Sequence, residues 1–197
     1  SSRRRHTRLQ GDWSSDVCSS DLDARRCLSY TTIELRGPIP RELRAPQGER
    51  LFGCDVCLEV CPFTRRSPRL TLAGADRPRD LQPHRLLAEW TLLDVLELDE
   101  QHYETEWTGT AMRRATRTGL RRNAAVALGN RGDAAALPAL ATALADPDPV
   151  VRGHAAWAIG RIDRRHPELD RARMREQDVQ VLDEIEAALA GDDSDAN

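Results

Sequence analysis

One short run of sequence constrains this chain more than any other: residues 53–62, which read GCDVCLEVCP. The run contains a CxxC, a third Cys four positions later, a Pro directly after that Cys and a Gly directly before the first. The chain has five Cys, an odd number, and three of them lie in this run. Clustered thiols in an uneven number favour a metal or cluster site in a reduced, cytoplasmic protein over a disulfide-bonded scaffold.

The ending of this run narrows the kind of centre that it can hold. Bacterial ferredoxins bind iron–sulfur clusters through C-x2-C-x2-C-x3-C-P, whose last Cys ligates the other cluster of a pair. The first Cys of that pattern would fall at Leu51, so a ligand must come from elsewhere, and Cys27 is the candidate. Zinc also accepts four thiolates at CxxC spacing, but the x3-Cys-Pro ending favours iron–sulfur. We expect Gly53 and the backbone N–H groups of residues 54–57 to donate to cluster sulfurs.

The composition excludes several classes of protein. The chain has 197 residues and a net charge of −3, so its overall charge does not indicate a nucleic-acid-binding protein. Aromatic residues make up 4% of the chain and Ala is abundant, which favours close packing of helices over a β-sandwich. No apolar run approaches the ~20 residues of a membrane span, and no segment has the three regions of a signal peptide. We therefore expect no membrane contact.

The Cys residues divide the first part of the chain. Residues 1–22 lack helical or strand periodicity and are predicted to be disordered or foreign to the protein; Cys18 lies there without a ligand context. Residues 23–66 hold the other four Cys and are predicted to form a partial two-cluster ferredoxin-like domain. Residues 67–84, rich in Arg, Pro, Gly and Asp, are predicted to be an irregular linker. At the other end, the acidic residues 191–197 are predicted to be a disordered tail.

Residues 85–190 contain an internal repeat and are predicted to form a helical domain. RNAAVALG at 122–129 aligns with GHAAWAIG at 153–160 when the chain is shifted by 31 residues. The shared pattern of paired Ala, alternating large and small residues and a final Gly resembles HEAT-type α-solenoid repeats, whose helix pairs bury their faces against neighbours. Only two units are visible, so the preceding helices or another domain must cap them. A last helix is predicted from about residue 170 to 190.

Three motifs, taken in order, resemble one known family. They are RRCLSYTTIE at 25–34, the Cys run at 53–62, and LRRNAAVALGN at 120–130, which leads into the repeats. In this order they resemble the C-terminal half of the epoxyqueuosine reductases, over about residues 23–165. The resemblance implies a mostly α fold, with a ferredoxin-like iron–sulfur half-module followed by HEAT-like α-solenoid repeats.

The resemblance also implies a function and partners. This family is cobalamin-dependent, carries two [4Fe–4S] clusters and reduces epoxyqueuosine to queuosine in tRNA, with electrons passing through the clusters to cobalamin. Its HEAT-like domain helps to hold the anticodon arm of the tRNA. The expected partners are therefore that anticodon arm and an electron donor such as a flavodoxin- or ferredoxin-type protein, and the chain is expected to be a monomer.

The resemblance assigns roles to particular residues of this chain. One cluster would be bound by Cys27, Cys54 and Cys57, with a fourth ligand from an upstream Cys run, and Cys61 would bind the other cluster. Ser29 and Asp55 are expected near the cofactor.

Residues 113–122 hold five Arg and no acid, and their forked side chains suit phosphate contacts. We predict a tRNA contact by this stretch and by the residue after it: Arg113, Arg114, Arg117, Arg121, Arg122 and Asn123.

The beginning of this chain departs from the family pattern. The sequence lacks the upstream four-Cys run and the N-terminal cobalamin-binding and catalytic region, so the chain is predicted to be a fragment that is inactive alone. An alternative function is a helical-repeat adaptor with a structural Cys metal site and no redox activity. A stand-alone ferredoxin-like electron carrier is a third hypothesis, against which the missing Cys run argues.

Overall fold

The described part of the molecule is helical. The computed structural model describes residues 23–61 and 89–191, and every regular element in these ranges is an α-helix or a 3₁₀ turn, as the sequence predicts. The predictions for residues 1–22, for the linker and for the tail beyond Gly191 lie outside the described residues. Among the described helices, none is long and apolar enough to cross a membrane.

Residues 23–61, which we name the cysteine module, contain little apolar core. The module has three short helices: α1 Leu28–Ile33, α2 Arg41–Gln47 and α3 Val56–Val60. Ile39 and Leu43 are its buried apolar side chains, and Val56, Leu58 and Val60 of α3 are exposed. A segment with so few buried apolar groups has to be held by contacts outside itself.

Residues 89–191, which we name the helical domain, contain the larger core. Its helices are α4 Leu92–Leu96, α5 Glu100–Glu106, α6 Thr116–Arg131, α7 Leu137–Ala143, α8 Pro149–Ile162, α9 Pro167–Arg175 and α10 Val179–Ala190. Local signals set their ends. Pro149 occupies the first turn of α8, where Asp148 accepts the N–H of Val150 at 2.9 Å. Gly132 ends α6 with φ +70°.

Small residues bring α6, α8 and α10 close together. A Cβ placed on Gly129 of α6 would lie 2.8 Å from the Cα of Ala158 in α8. One placed on Gly160 would lie 2.9 Å from the Cα of Ala188 in α10. The final Gly of the repeat pattern is therefore the residue that permits backbone contact between successive helices.

The helical stack continues beyond the two repeat units that the sequence shows. Gly191, at the same 31-residue spacing from Gly160, ends α10 in the left-handed conformation with φ +69°. The prediction of one helix over residues 170–190 is wrong, because the chain is extended at Glu176 between α9 and α10. The Glu176 carboxylate accepts the N–H groups of Gln177 and Asp178, and Asp178 then caps α10. The last helix thus adds a further layer to the stack, packed on α8 through Gly160 and Ala188.

The cysteine module is docked on α8 and α10 through polar groups. The N–H of Ile39 donates to Nε2 of buried His154 at 3.1 Å, so His154 carries its proton on Nδ1 and donates it to the carbonyl of Val150. Arg44, which is 1% exposed, forms a bidentate ion pair with Glu184 at 2.7 and 2.8 Å. These contacts fix the position of α2 against the helical domain.

Candidate metal centre and basic surface

The cysteine module carries its four thiols on two segments. Cys27 is the N-cap of α1. Cys54 precedes α3, Cys57 lies in its first turn and Cys61 follows its last residue. None of the four is in a disulfide; Cys57 is exposed and the others are half-buried. The four Cys predicted as ligands are thus thiols, and each is at least partly accessible.

Two hydroxyl groups of α1 tie these segments together. The Cys54 N–H donates to Oγ of Ser29 at 3.1 Å, and the Gly53 N–H donates to Oγ1 of Thr32 at 3.0 Å. Gly53 has φ +76°, a conformation that favours glycine and turns two successive N–H groups toward the helix. The loop that carries Cys54 is therefore fastened to the helix that begins directly after Cys27.

These contacts bear on the predicted roles of the loop amides and of Asp55. The N–H groups of Gly53 and Cys54 donate to hydroxyls of α1, so the prediction that they donate to cluster sulfurs is wrong for these two amides. Asp55 is the N-cap of α3, but its exposed carboxylate makes no capping hydrogen bond. Its proposed contact with a cofactor stays a prediction.

The donor chemistry of this module fits an iron–sulfur centre. Clusters of this kind are held by Cys thiolates, four to each [4Fe–4S] centre. Within residues 23–61 and 89–191, no three His, Cys, Asp or Glu side chains converge so that they could hold a metal ion. What the structure supplies is thus the placement of two ligand-bearing segments, and the ligand assignments of the four Cys stay predictions.

The basic stretch that begins at residue 113 is neutralised by acids from other parts of the chain. Arg113 pairs with Glu104 at 2.7 Å, which raises the pKa of its guanidinium, and it lies 5.0 Å from the centre of the Tyr103 ring. Arg117 pairs with Glu100 at 2.8 Å. The absence of acids within the stretch did not indicate a free cationic surface, because tertiary contacts supply them.

Two further arginines of this stretch also form ion pairs with acids from other parts of the chain. Arg121 pairs with buried Asp146 at 2.5 Å and donates to the carbonyl of Leu96 at 2.7 Å, and its side chain is 13% exposed. Arg114 pairs with Glu34 of the cysteine module, yet 69% of its side chain is exposed. Of the arginines proposed to contact RNA, Arg114 is therefore the most accessible.

Arg122 is completely buried, so its predicted tRNA contact is wrong. Its Nη1 donates to the carbonyls of Leu35 and Gly37 at 2.8 and 2.7 Å, and its Nη2 donates to the carbonyl of Thr31 at 2.7 Å. Burial, assisted by neighbouring Arg side chains, lowers the pKa of its guanidinium to about 10. The group stays charged at neutral pH and binds the carbonyls at the end of α1, where a cation is favoured.

Asn123 is also completely buried, and its predicted contact with RNA is wrong for the same reason. Its side-chain N–H₂ donates to the carbonyls of Thr32 and Leu51 at 2.7 and 2.9 Å, and its Oδ1 accepts from Arg122. Both the N–H₂ and the Oδ1 of this side chain are therefore hydrogen-bonded to other groups of the protein. It connects both ligand-bearing segments of the cysteine module to α6.

Two residues that hold the module are not among the site residues predicted from the sequence. Asn130 donates to the carbonyls of Arg44 and Gly48 at 2.7 and 2.8 Å. It lies two helical turns after Asn123, so both amides fall on one face of an Ala-rich helix, a signal that a search could use. Thr32 is the second, since next to Thr31 it has no local signal that distinguishes its hydroxyl.

Two family models match this chain. The model described as a 4Fe-4S double cluster binding domain matches residues 14–64. The model described as HEAT repeats matches residues 105–196. The iron–sulfur and HEAT-like character predicted from the sequence is thereby confirmed.

Curated relatives and solved structures match most of this chain. Epoxyqueuosine reductase of Escherichia coli is 40% identical over 147 residues, which are 74% of this chain and 37% of the relative. An uncharacterized protein of Geobacillus stearothermophilus is 33% identical over 174 residues, 86% of this chain and 76% of the relative. The crystal structure of an epoxyqueuosine reductase with an epoxyqueuosine-modified tRNA-Tyr stem loop superposes with a TM-score of 0.75 at 34% identity. It matches 86% of this chain and 44% of the solved one, so the chain spans less than half the length of these reductases.

Proposed function

Because this chain belongs to the epoxyqueuosine reductase family, we propose that it forms the cluster-bearing and tRNA-contacting part of an enzyme that reduces epoxyqueuosine to queuosine in tRNA. The observation that carries the proposal is the fastening of the Cys54 loop to the helix after Cys27. That pair of segments is itself docked on stacked HEAT-like helices. The chain thus combines segments that carry thiols with a repeat scaffold of the kind used to hold extended partners.

The thiols of the cysteine module are proposed as ligands of two [4Fe–4S] clusters. Cys27, Cys54 and Cys57 would hold one cluster, and Cys61 would contribute to the second. Such clusters, when bound, transfer single electrons at potentials set by their surroundings. The residues of this chain would hold the ligand segments in place and exclude water from one side of them.

Cobalamin is proposed as the group that receives these electrons in the complete enzyme. This proposal is supported by the resemblance of the three motifs to the reductase family. On this chain, the same resemblance proposes Ser29 and Asp55 near the cofactor. Asp55 has an exposed carboxylate beside Cys54, which makes it available for such a contact.

The tRNA contact is proposed for a smaller set of arginines than the sequence alone indicates. Arg114 has the most exposed side chain of the set, and Arg113 and Arg117 are partly exposed beside it. Their ion pairs with Glu34, Glu104 and Glu100 are at the surface, where such pairs contribute ~1 kcal/mol or less and can be exchanged for phosphate. A related enzyme whose structure includes a tRNA stem loop supports an RNA partner.

The remaining parts of the proposal concern the setting of the protein. A flavodoxin- or ferredoxin-type protein is proposed as the electron donor, the chain is proposed to act as a monomer, and the cytoplasm is proposed as its location. The donor and the monomeric state are proposed from the resemblance to the reductase family, and the location is proposed from the thiol content.

Metal content tests the cluster proposal. The full chain supplies three of the four proposed ligands of one centre, so a small thiol in the buffer has to supply the fourth. Reconstituted anaerobically with iron and sulfide under these conditions, it should bind both in near-equal amounts and develop a broad visible absorption. Cys57→Ser should lose most of it, whereas Cys18→Ser should not. A colourless protein that instead binds zinc through the same Cys residues would contradict the proposal and support the adaptor hypothesis.

The tRNA proposal is tested by the salt dependence of binding. Replacing Arg114 and Arg117 with Gln should weaken binding of a tRNA anticodon stem loop. It should also reduce the slope of log affinity against log salt by about one for each phosphate that is no longer neutralised. Arg173→Gln, which removes an exposed arginine of α9, is the matched control. An unchanged slope in the double variant would refute the proposed interface.

A further inference from the structure

Two adjacent threonines of α1 differ in their contact with the cysteine loop. Thr31 and Thr32 are both fully buried, and both donate a hydroxyl hydrogen bond to the carbonyl of Leu28, at 3.1 and 2.7 Å. Only Thr32 also accepts a hydrogen bond from the cysteine loop, from the N–H of Gly53. One turn earlier, Ser29 accepts the N–H of Cys54. Two hydroxyl oxygens of α1 thus accept the N–H groups of two successive loop residues.

We infer that Ser29 and Thr32 are positioning residues for the ligand loop, which hold Cys54 against the helix after Cys27 and keep two N–H groups away from cluster sulfurs. The part that concerns sulfur rests on the proposed function. The part that concerns the loop depends only on the hydrogen bonds of the chain itself.

The backbone of the loop makes this role necessary. Gly53 has φ +76°, so the N–H groups of residues 53 and 54 both point at α1 and cannot be satisfied within the loop. The carbonyl of Leu51, just before the loop, is held by Asn123 of α6. Removing the hydroxyl acceptors would leave the loop fixed at Leu51 and released at Cys54, so that the distance between the Cys27 and Cys54 ligands would vary.

The same contacts have an electronic consequence. An N–H that donates to a cluster sulfur stabilises the reduced, more negative form and raises its potential. Because the Gly53 and Cys54 amides are taken by hydroxyls, they do not exert that effect. Ser29 and Thr32 therefore favour a lower potential at the centre that Cys54 serves.

Amide exchange in the metal-free full chain tests the positioning role directly. The Gly53 N–H should exchange about two- to tenfold faster in Thr32→Val, the effect of losing one hydrogen bond. It should be unchanged in Thr31→Val, which loses the same kind of buried hydroxyl. Thr32→Ser, which keeps the acceptor, should restore protection. Equal exchange of the Gly53 N–H in the two Val variants would overturn the inference.

Cluster retention tests the part that depends on the proposed function. In reconstituted full chain, Ser29→Ala and Thr32→Val should release iron to a chelator about two- to tenfold faster than Thr31→Val, and Ser29→Thr should match the unchanged protein. The midpoint potential of the Ser29→Ala cluster should rise. If the amides are protected as expected but the unchanged chain binds no iron, the proposed function fails while the positioning role stands. Iron release that does not distinguish Thr32→Val from Thr31→Val refutes the link to the cluster.

Discussion

The two parts of this molecule are stabilised in different ways. The helical domain is held by apolar and small residues, with Gly129 and Gly160 allowing direct contact between helix backbones. The cysteine module has only Ile39 and Leu43 as buried apolar side chains among its described residues. Partly buried Leu35, Leu51 and Phe52 add apolar contacts with the shared core. Polar side chains of the helical domain reach the backbone carbonyls and amides of the module and hold it further.

The anchors occupy related positions in the repeat. Asn123 and His154 are 31 residues apart, and Arg122 and Glu184 are separated by two such intervals. Each of the stacked helices α6, α8 and α10 therefore contributes at least one polar group at the same level of the stack to the docking of the module. The helical domain is thus both a scaffold and the source of the hydrogen bonds that the module cannot make for itself.

The largest expected effect comes from removing the central anchor. Arg122→Met leaves the carbonyls of Thr31, Leu35 and Gly37 without their donor, and each such group costs about 1–3 kcal/mol when buried. We expect the free energy of unfolding, measured in urea, to fall by at least about 3 kcal/mol. Arg131→Met removes a half-exposed arginine paired with Glu49 and should change it by less than ~0.5 kcal/mol. Equal changes in the free energy of unfolding for the two substitutions would mean that the buried hydrogen bonds of Arg122 do not stabilise the fold.

A somewhat smaller effect is expected at the ion pair between α2 and α10. Glu184→Gln leaves the Arg44 charge buried with a weaker partner, and we expect a loss of about 2–3 kcal/mol in the same measurement. The neighbouring Asp183→Asn breaks only the exposed pair with Arg41 and should cost less than ~1 kcal/mol. If Asp183→Asn were the more damaging of the two, the buried pair would not be the anchor.

Packing within the helical domain should respond to added volume. Gly129→Ala places a methyl group 2.8 Å from the Cα of Ala158, so α6 and α8 must separate, which costs about 1–3 kcal/mol. Gly37→Ala, whose Cβ would meet no atom within 4 Å, is the control and should be nearly neutral. Thermal unfolding of both variants compares them directly. A stable Gly129→Ala protein would contradict the close approach of the helices.

The smallest effect should appear as a dependence on pH. Burial lowers the pKa of His154 well below its ordinary value of 6.5, so the unfolded chain binds a proton that the folded chain does not. The contribution of neutral His154 to the free energy of unfolding is fully present above pH 6.5. It is lost as the pH falls, by up to about 1.4 kcal/mol per pH unit.

Urea unfolding between about pH 6.5 and 5 measures this loss, and His154→Gln should abolish the slope in that range. Glu176, whose carboxyl pKa is lowered by the hydrogen bond from Arg152, contributes stability that is lost only at more acidic pH. A slope that His154→Gln leaves unchanged would show that another group is responsible.

Much of the fold and part of the site are predictable from local sequence. The Cys run, the repeat ending at Gly129 and Gly160, and the capping signals of α8 depend on nearest neighbours or on a fixed period. The prediction of a basic RNA surface failed for Arg122 and Asn123, because charge and polarity along a sequence do not reveal which face of a helix is covered. The ion pairs of Arg113 and Arg117 join residues 9 and 17 positions apart, beyond the reach of a local charge count.

The chemistry of this protein and its repeat architecture can be read from the amino-acid sequence. Thiols at Cys54, Cys57 and Cys61 before a Pro specify a soft-ligand centre, and Ala and Gly at a 31-residue spacing specify stacked helices. Which polar residues stay exposed and which bind the cysteine module depends on the tertiary fold. The physical reason is that a polar group can be buried only where it finds a hydrogen-bond partner. The partners of Arg122 and Asn123 are backbone carbonyls more than 70 residues away along the chain.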